Sequence, residues 1–257
     1  LALINFKIPR SKAAAMSYIL MLVSTGYRHW IRGEMHCSKA LAFATRMNEL
    51  YNFQATQSQR ALLKKKGLAS CQLVMLPHDK DKTKIIFWLL ATPGKGLVHD
   101  REKLNDALTC PLTWGSQYHV TKIQRDRKQG GKISWTWQMQ TAYFKEQLAM
   151  TKEAADSGAP ALESYFGNIK HMPMFSGIRD QIIELREYGR KTWAKRRKSD
   201  FPSVLPDQLP SMTKIEVFGN VLLPDLVTLM LNAELERAEK ARIEASSSEF
   251  NMPQSRL

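Results

Sequence analysis

The stretch Tyr27-Arg28-His29-Trp30-Ile31-Arg32-Gly33-Glu34 sets an imidazole between guanidiniums, with a carboxylate two residues further on. An imidazole moves protons near neutral pH. A guanidinium stabilises charge developing on a phosphorane without a metal. Arg28, His29 and Arg32 are therefore the residues expected at a reacting phosphate. The chemistry they suit is attack of an RNA 2′-hydroxyl on its own phosphodiester. The competing expectation for His29 is a partly buried ring satisfied by its neighbours.

Three further groups offer charge rather than chemistry. Arg60, Lys64, Lys65 and Lys66 lie on one short predicted helix, with Arg60 and Lys64 one turn apart and Gln57 and Gln59 beside them. Against a groove, the cations would neutralise phosphates and the glutamines could reach base edges. Arg125, Arg127, Lys128 and Lys132 crowd the tip of a predicted hairpin that leads into Trp135 and Trp137. Such a loop could clamp a backbone while an aromatic ring stacks a base, although alternating aromatics on a strand more often mark a core. Arg186, Arg190, Lys191, Lys195, Arg196, Arg197 and Lys198 form the densest basic run, with Arg186, Arg190 and Arg197 near one helical face. For each group the plain alternative is a solvated helix face or loop.

The chain lacks a phosphate-loop lysine motif, H-E-x-x-H, G-x-S-x-G and thiolate zinc spacing. His78, Asp79 and Asp81, and His99 with Asp100, are near-neighbours of a kind that seldom holds a metal. No metal site and no cofactor are expected. Cys37, Cys71 and Cys110 are odd in number and widely spaced, which argues against a disulfide framework and for a reducing, cytoplasmic setting. Lys plus Arg is 38 against 24 for Asp plus Glu, a formal net charge of +14. A field of that size attracts polyanions, nucleic acid first among them. No apolar run has the length of a membrane span, so no membrane partner is expected.

The elements that must position these residues follow from periodicity. Ala2 to Ile8 alternates as a strand, and Ser11 caps a helix running to about Thr25. Ser38 and Thr56 cap two more helices, to Tyr51 and to Lys66, the second closed by Gly67. Ser70 to Leu76 and Lys84 to Ala91 form a hairpin whose second strand, apolar throughout, is central. A short helix is expected over Asp100 to Leu108, then a hairpin of Gln117 to Gln124 with Lys132 to Gln140. From Thr141 the chain is mostly helical, with one strand over about 215–223 and a long helix from Asp225 to Ala245.

The fold class is thus α+β. With the helices of about 38–67 set aside as an inserted finger, residues 1–140 read β-α-β-β-α-β, the ferredoxin-like order of RNA-recognition folds. Residues 141–257 are the helical half. A second parsing takes the Ser38 and Thr56 helices and the following hairpin as a winged helix. The Thr56 helix would then enter a DNA major groove, with Pro77 to Thr83 as the wing.

The ferredoxin-like order, the basic helical insertion after Gly33-Glu34 and the basic helical C-terminal half resemble the CRISPR repeat endonucleases, in layout the version found with plasmid-borne type IV systems. Phe218-Gly219-Asn220 stands where many of them carry a glycine-rich loop, and no catalytic residue is carried over by motif. The resemblance implies metal-independent cleavage of precursor CRISPR RNA at the base of a hairpin. It also implies retention of the product in a ribonucleoprotein with other subunits, in antiviral defence. The alternatives are a DNA-binding protein of a plasmid or mobile element, serving replication, partition or transfer, and a ribonucleoprotein subunit without chemistry of its own.

Overall fold

The computed structural model describes residues 5–124, 131, 133–197, 199–206, 209–210 and 215–250. They form an α+β structure. In chain order the elements are β1 (Lys7–Pro9), α1 (Lys12–Ser24), β2 (His29–His36), α2 (Cys37–Tyr51), α3 (Gln57–Lys65), β3 (Cys71–Pro77), β4 (Lys84–Ala91) and α4 (Leu97–Arg101). There follow β5 (Asn105–Asp106), β6 (Thr113–Trp114), β7 (Tyr118–Gln124), β8 (Ile133–Met139), α5 (Thr141–Ser157), α6 (Ala159–Ile169), α7 (Ser176–Arg196), β9 (Phe218–Leu222) and α8 (Leu223–Phe250). The chain divides into two compact units. One comprises Leu1–Ala15, His29–Leu104 and Glu216–Leu257, and the other Met16–Arg28 and Asn105–Ile215. Residue 140, the expected boundary, falls inside the second unit between β8 and α5.

In the first unit β4 lies between β3 and β2, antiparallel to both. Its apolar run explains the central place: Ile85, Ile86, Trp88, Leu89, Leu90 and Ala91 are all buried. Strand β2 was not expected, since His29, Arg32 and Glu34 give it a polar composition. Pairing with β4 along its whole length, from His29↔Ala91 to His36↔Lys84, overrides that weak strand propensity. Gly33 makes the pairing possible at one point. A Cβ there would stand 2.5 Å from the Phe87 ring, which lies across the β2 backbone and meets the Phe43 ring of α2, tilted by 46°, at 4.5 Å between centroids.

The ferredoxin-like arrangement is not confirmed. The predicted first strand, seen as β1, pairs antiparallel with β9 in a two-stranded sheet. The second predicted hairpin, β7 with β8, pairs with β6 in the other unit. Two helix limits also shift. α2 begins at Cys37 with His36 rather than Ser38 as its cap: the His36 ring accepts from the Ser38 N–H through Nδ1 at 3.3 Å. The helix expected over Asp100 to Leu108 is instead α4, which starts earlier because Val98 is buried and anchors it.

The second unit carries the β6–β7–β8 sheet and helices α5, α6 and α7. Trp137 is fully buried, donates from Nε1 to the Met16 carbonyl at 2.9 Å and meets Trp114 edge-on. The first turn of α7 rests on β8. A Cβ on Gly177 would stand 2.7 Å from the Trp137 carbonyl, and the Gly177 N–H donates to Thr136 Oγ1 at 3.1 Å. Among the described residues no helix is long and apolar enough to cross a membrane.

Candidate nucleic-acid interface

α3 forms for local reasons. Thr56 Oγ1 accepts from the Gln59 N–H at 3.3 Å, and Gln59 Oε1 accepts from the Thr56 N–H at 2.8 Å, a reciprocal capping box. At its other end Gly67 takes a positive φ of 67° and closes the helix. Yet α3 buries no residue at all, and Leu62 is 52% exposed. A nine-residue helix is marginal without a packed face, so this one is held by its caps and connections.

That helix holds Lys64 and Lys65 in its last turn, and Lys66 is its C-cap residue. All three are exposed and make no ion pair among the described residues. A fourth cation joins them from far along the chain. The Lys95 N–H donates to the Gly67 carbonyl at 3.0 Å, and the Lys95 carbonyl accepts from the Ala69 N–H at 2.9 Å. The approach depends on Gly94, at φ 136°, where a Cβ would come within 2.8 Å of the Ala69 nitrogen. Lys95 and the apolar Leu63, Leu68 and Leu97 line a groove of about 360 Å³ beside α3. The sequence reading missed Lys95. The signal was Pro93-Gly94-Lys95-Gly96, which reads as a turn but does not say what it turns against.

Of the residues expected to read base edges, Gln57 is exposed, while Gln59, and Arg60 beside it, are otherwise engaged. Gln59 is spent in the capping box. Arg60 folds back and donates from Nη1 to the Ala55 carbonyl at 2.6 Å. What α3 leaves free is a row of ammonium groups suited to phosphates.

His29 and Arg32 do not share one face of their strand. His29 and Arg32 are three residues apart on β2, and side chains alternate along a strand, so they point to opposite faces. Arg32 lies over the buried Trp88 ring of β4 at 5.7 Å. His29 meets His99 edge-on at 4.9 Å, and His99 donates from Nε2 to the Thr92 carbonyl at 2.9 Å. Arg28 belongs to the second unit, where its Nε stands 3.5 Å from Asp106 Oδ2 as an ion pair, without the alignment of a hydrogen bond. The loop after β3 is likewise structural. His78 Nδ1 accepts from the Lys80 and Asp81 N–H groups, and the Thr83 hydroxyl donates to Asp81 at 2.6 Å, holding that carboxyl below its usual range.

In the second unit Arg125, Arg127, Lys128 and Lys132 lie outside the described residues, as does Lys198 of the later basic run. Trp137 is core, while Trp135 is half-buried with Lys122 Nζ over its ring at 4.9 Å. The α7 arginines are largely committed within the unit. Arg186 donates to the Pro206 carbonyl at 3.0 Å, and Arg190 pairs with Glu187. Arg196 pairs with Asp156 at 2.8 Å. Arg197 donates to the Asp156 carbonyl at 2.7 Å and stacks on Trp193. Lys191 and Lys195 remain exposed without an ion pair among the described residues.

Comparison with protein-family models, with curated proteins and with solved structures finds no match.

Proposed function

We propose that the protein binds structured RNA, gripping the phosphate backbone and shape of a hairpin through the lysine end of α3. One observation carries this reading: α3 has no buried residue, presents Lys64, Lys65 and Lys66, and turns Gln59 into its own cap and Arg60 back onto the Ala55 carbonyl. Recognition by shape and phosphate is how helical RNA is held, because its major groove is too narrow to read. The groove beside α3, apolar below and flanked by Lys95, suits an unstacked base next to the stem. The finer proposal is processing of a CRISPR repeat hairpin with the product retained in a ribonucleoprotein. It draws on the layout of elements in the sequence, and His29 and Arg32 stand on opposite faces of β2.

A second reading, duplex DNA binding, is favoured by connectivity: α2, α3 and the β3–β4 hairpin follow one another in winged-helix order. One titration separates the two. Labelled hairpin RNA, unpaired RNA and DNA duplexes are bound at several salt concentrations by the wild type and by the Lys64→Gln, Lys65→Gln, Lys66→Gln triple variant. The RNA reading expects hairpin preference and a salt slope lowered by about 2–3 in the variant, near one unit per lost phosphate contact. An unchanged slope overturns the role of α3. Preference for one DNA sequence, relaxed by Gln57→Ala, selects the DNA reading instead.

A further inference from the structure

Nitrogen, sulfur and oxygen donors of three different residues converge at the junction of β2 and α2. His36 ends the strand, Cys37 begins the helix, and Glu234 reaches them from α8, 198 residues away from His36. Their ligand atoms all lie within 4.8 Å of one another, the one such group among the described residues. His36 Nε2 stands 3.2 Å from Glu234 Oε2 and 3.3 Å from Oε1.

Those spacings are close to what a tetrahedral ion requires. Zinc bonds of about 2.0–2.3 Å put neighbouring ligand atoms roughly 3.3–3.6 Å apart. The His36–Glu234 edge already has that length, and the sulfur, within 4.8 Å of both, needs to approach by at most roughly 1.2 Å, within reach of a χ1 adjustment. The imidazole is also set correctly. His36 Nδ1 lies 2.8 Å from Ser38 Oγ, closer than the Ser38 N–H at 3.3 Å. Without an ion, Nδ1 accepts from the Ser38 N–H and the ring proton sits on Nε2, between the ring and the Glu234 carboxylate. An ion replacing that proton would shift the tautomer, and Nδ1–H would then donate to the Ser38 hydroxyl 2.8 Å away. Ser38 would then be the outer partner that fixes ring and tautomer.

We infer that His36, Cys37 and Glu234 bind a zinc-class divalent ion, with water as the fourth ligand. The mixed N/S/O donor set favours zinc over magnesium or calcium, which take oxygen. His36 and Glu234 are each 38% exposed, which leaves room for the water. Binding exchanges the Cys37 thiol proton for the ion. The role is structural. Leu223, Val227 and Met230 are buried on the α8 face that ends at Glu234, and from Leu235 to Glu244 every residue is exposed. The ion would pin α8 to the β2–α2 junction where its apolar contacts stop. This inference is independent of the nucleic-acid reading.

The test titrates Co²⁺ into the metal-free full chain and follows the absorption spectrum. One equivalent should bind with a near-ultraviolet thiolate-to-cobalt band and visible bands of tetrahedral intensity, and Zn²⁺ should abolish both. Cys37→Ser should remove the near-ultraviolet band, while Cys71→Ser and Cys110→Ser should keep it. Ser38→Ala should weaken binding by about tenfold or more, and Glu234→Gln by more than that. Absence of the thiolate band in folded wild-type protein overturns the inference, as does a band that survives Cys37→Ser. If Cys37→Ser does not fold, Glu234→Gln decides: unchanged affinity there overturns it equally.

Discussion

His119 is half-buried on β7, and its Nδ1 is buried without a hydrogen-bond partner among the described residues. Burial disfavours the charged ring, so its pKa is held below the ordinary 6.5. Between the depressed folded value and the ordinary unfolded value, the unfolded chain binds the extra proton. Stability is therefore full above pH 6.5 and falls as pH drops through it. We expect the urea midpoint to decline from pH 7.5 to 5.5, and His119→Gln to flatten that decline. A wild-type midpoint constant over this range would contradict it. Arg60 shows the opposite kind of commitment: its charge is exposed in composition but its direction is fixed by the Ala55 carbonyl. At this scale a residue's type was legible from the sequence and its partner was not.

α3 is an element held by its ends. Thr56→Ala removes the cap acceptor and should cost the helix about 0.5–2 kcal/mol. Because α3 buries nothing, that loss should appear as faster amide exchange confined to residues 57–66, with the global unfolding midpoint nearly unchanged. A matching global loss would show that the helix is packed after all. Elements announced by local chemistry were readable. Thr56-x-x-Gln59 with Gly67 marks α3, and the unbroken apolar run marks β4 as central. Elements made by partners were not. β2 is a strand because β4 lies beside it, and β1 finds β9 across nearly the whole chain. Lys95 joins α3 through a backbone bridge to Gly67 and Ala69, and Glu234 meets His36 from 198 residues away. No local pattern encodes either meeting.

Across the whole molecule the count of 38 Lys and Arg residues overstates the cations available to a polyanion. In the second unit Arg190, Arg196 and Arg197 are held by Glu187 and Asp156, whereas Lys191 and Lys195 are unpaired among the described residues. Replacing both lysines by Gln should lower the salt needed to elute the protein from heparin and leave its unfolding midpoint unmoved. Arg197→Gln should do the reverse, costing about 1–3 kcal/mol through the lost carbonyl bond and stacking on Trp193. Equal elution shifts for both variants would refute the distinction. The β1–β9 pairing carries a further consequence for how the chain is made. Lys7 emerges from the ribosome 215 residues before its partner Leu222, roughly 10–45 s at ordinary elongation rates of about 5–20 residues per second. Through that interval β1 has no mate. Three residues ending in Pro9 offer a passing strand little to pair with, so the nascent chain can wait without being captured. A translation product that stops short of Phe218 leaves β1 waiting for good, and quality control would meet it as a first unit that never closes.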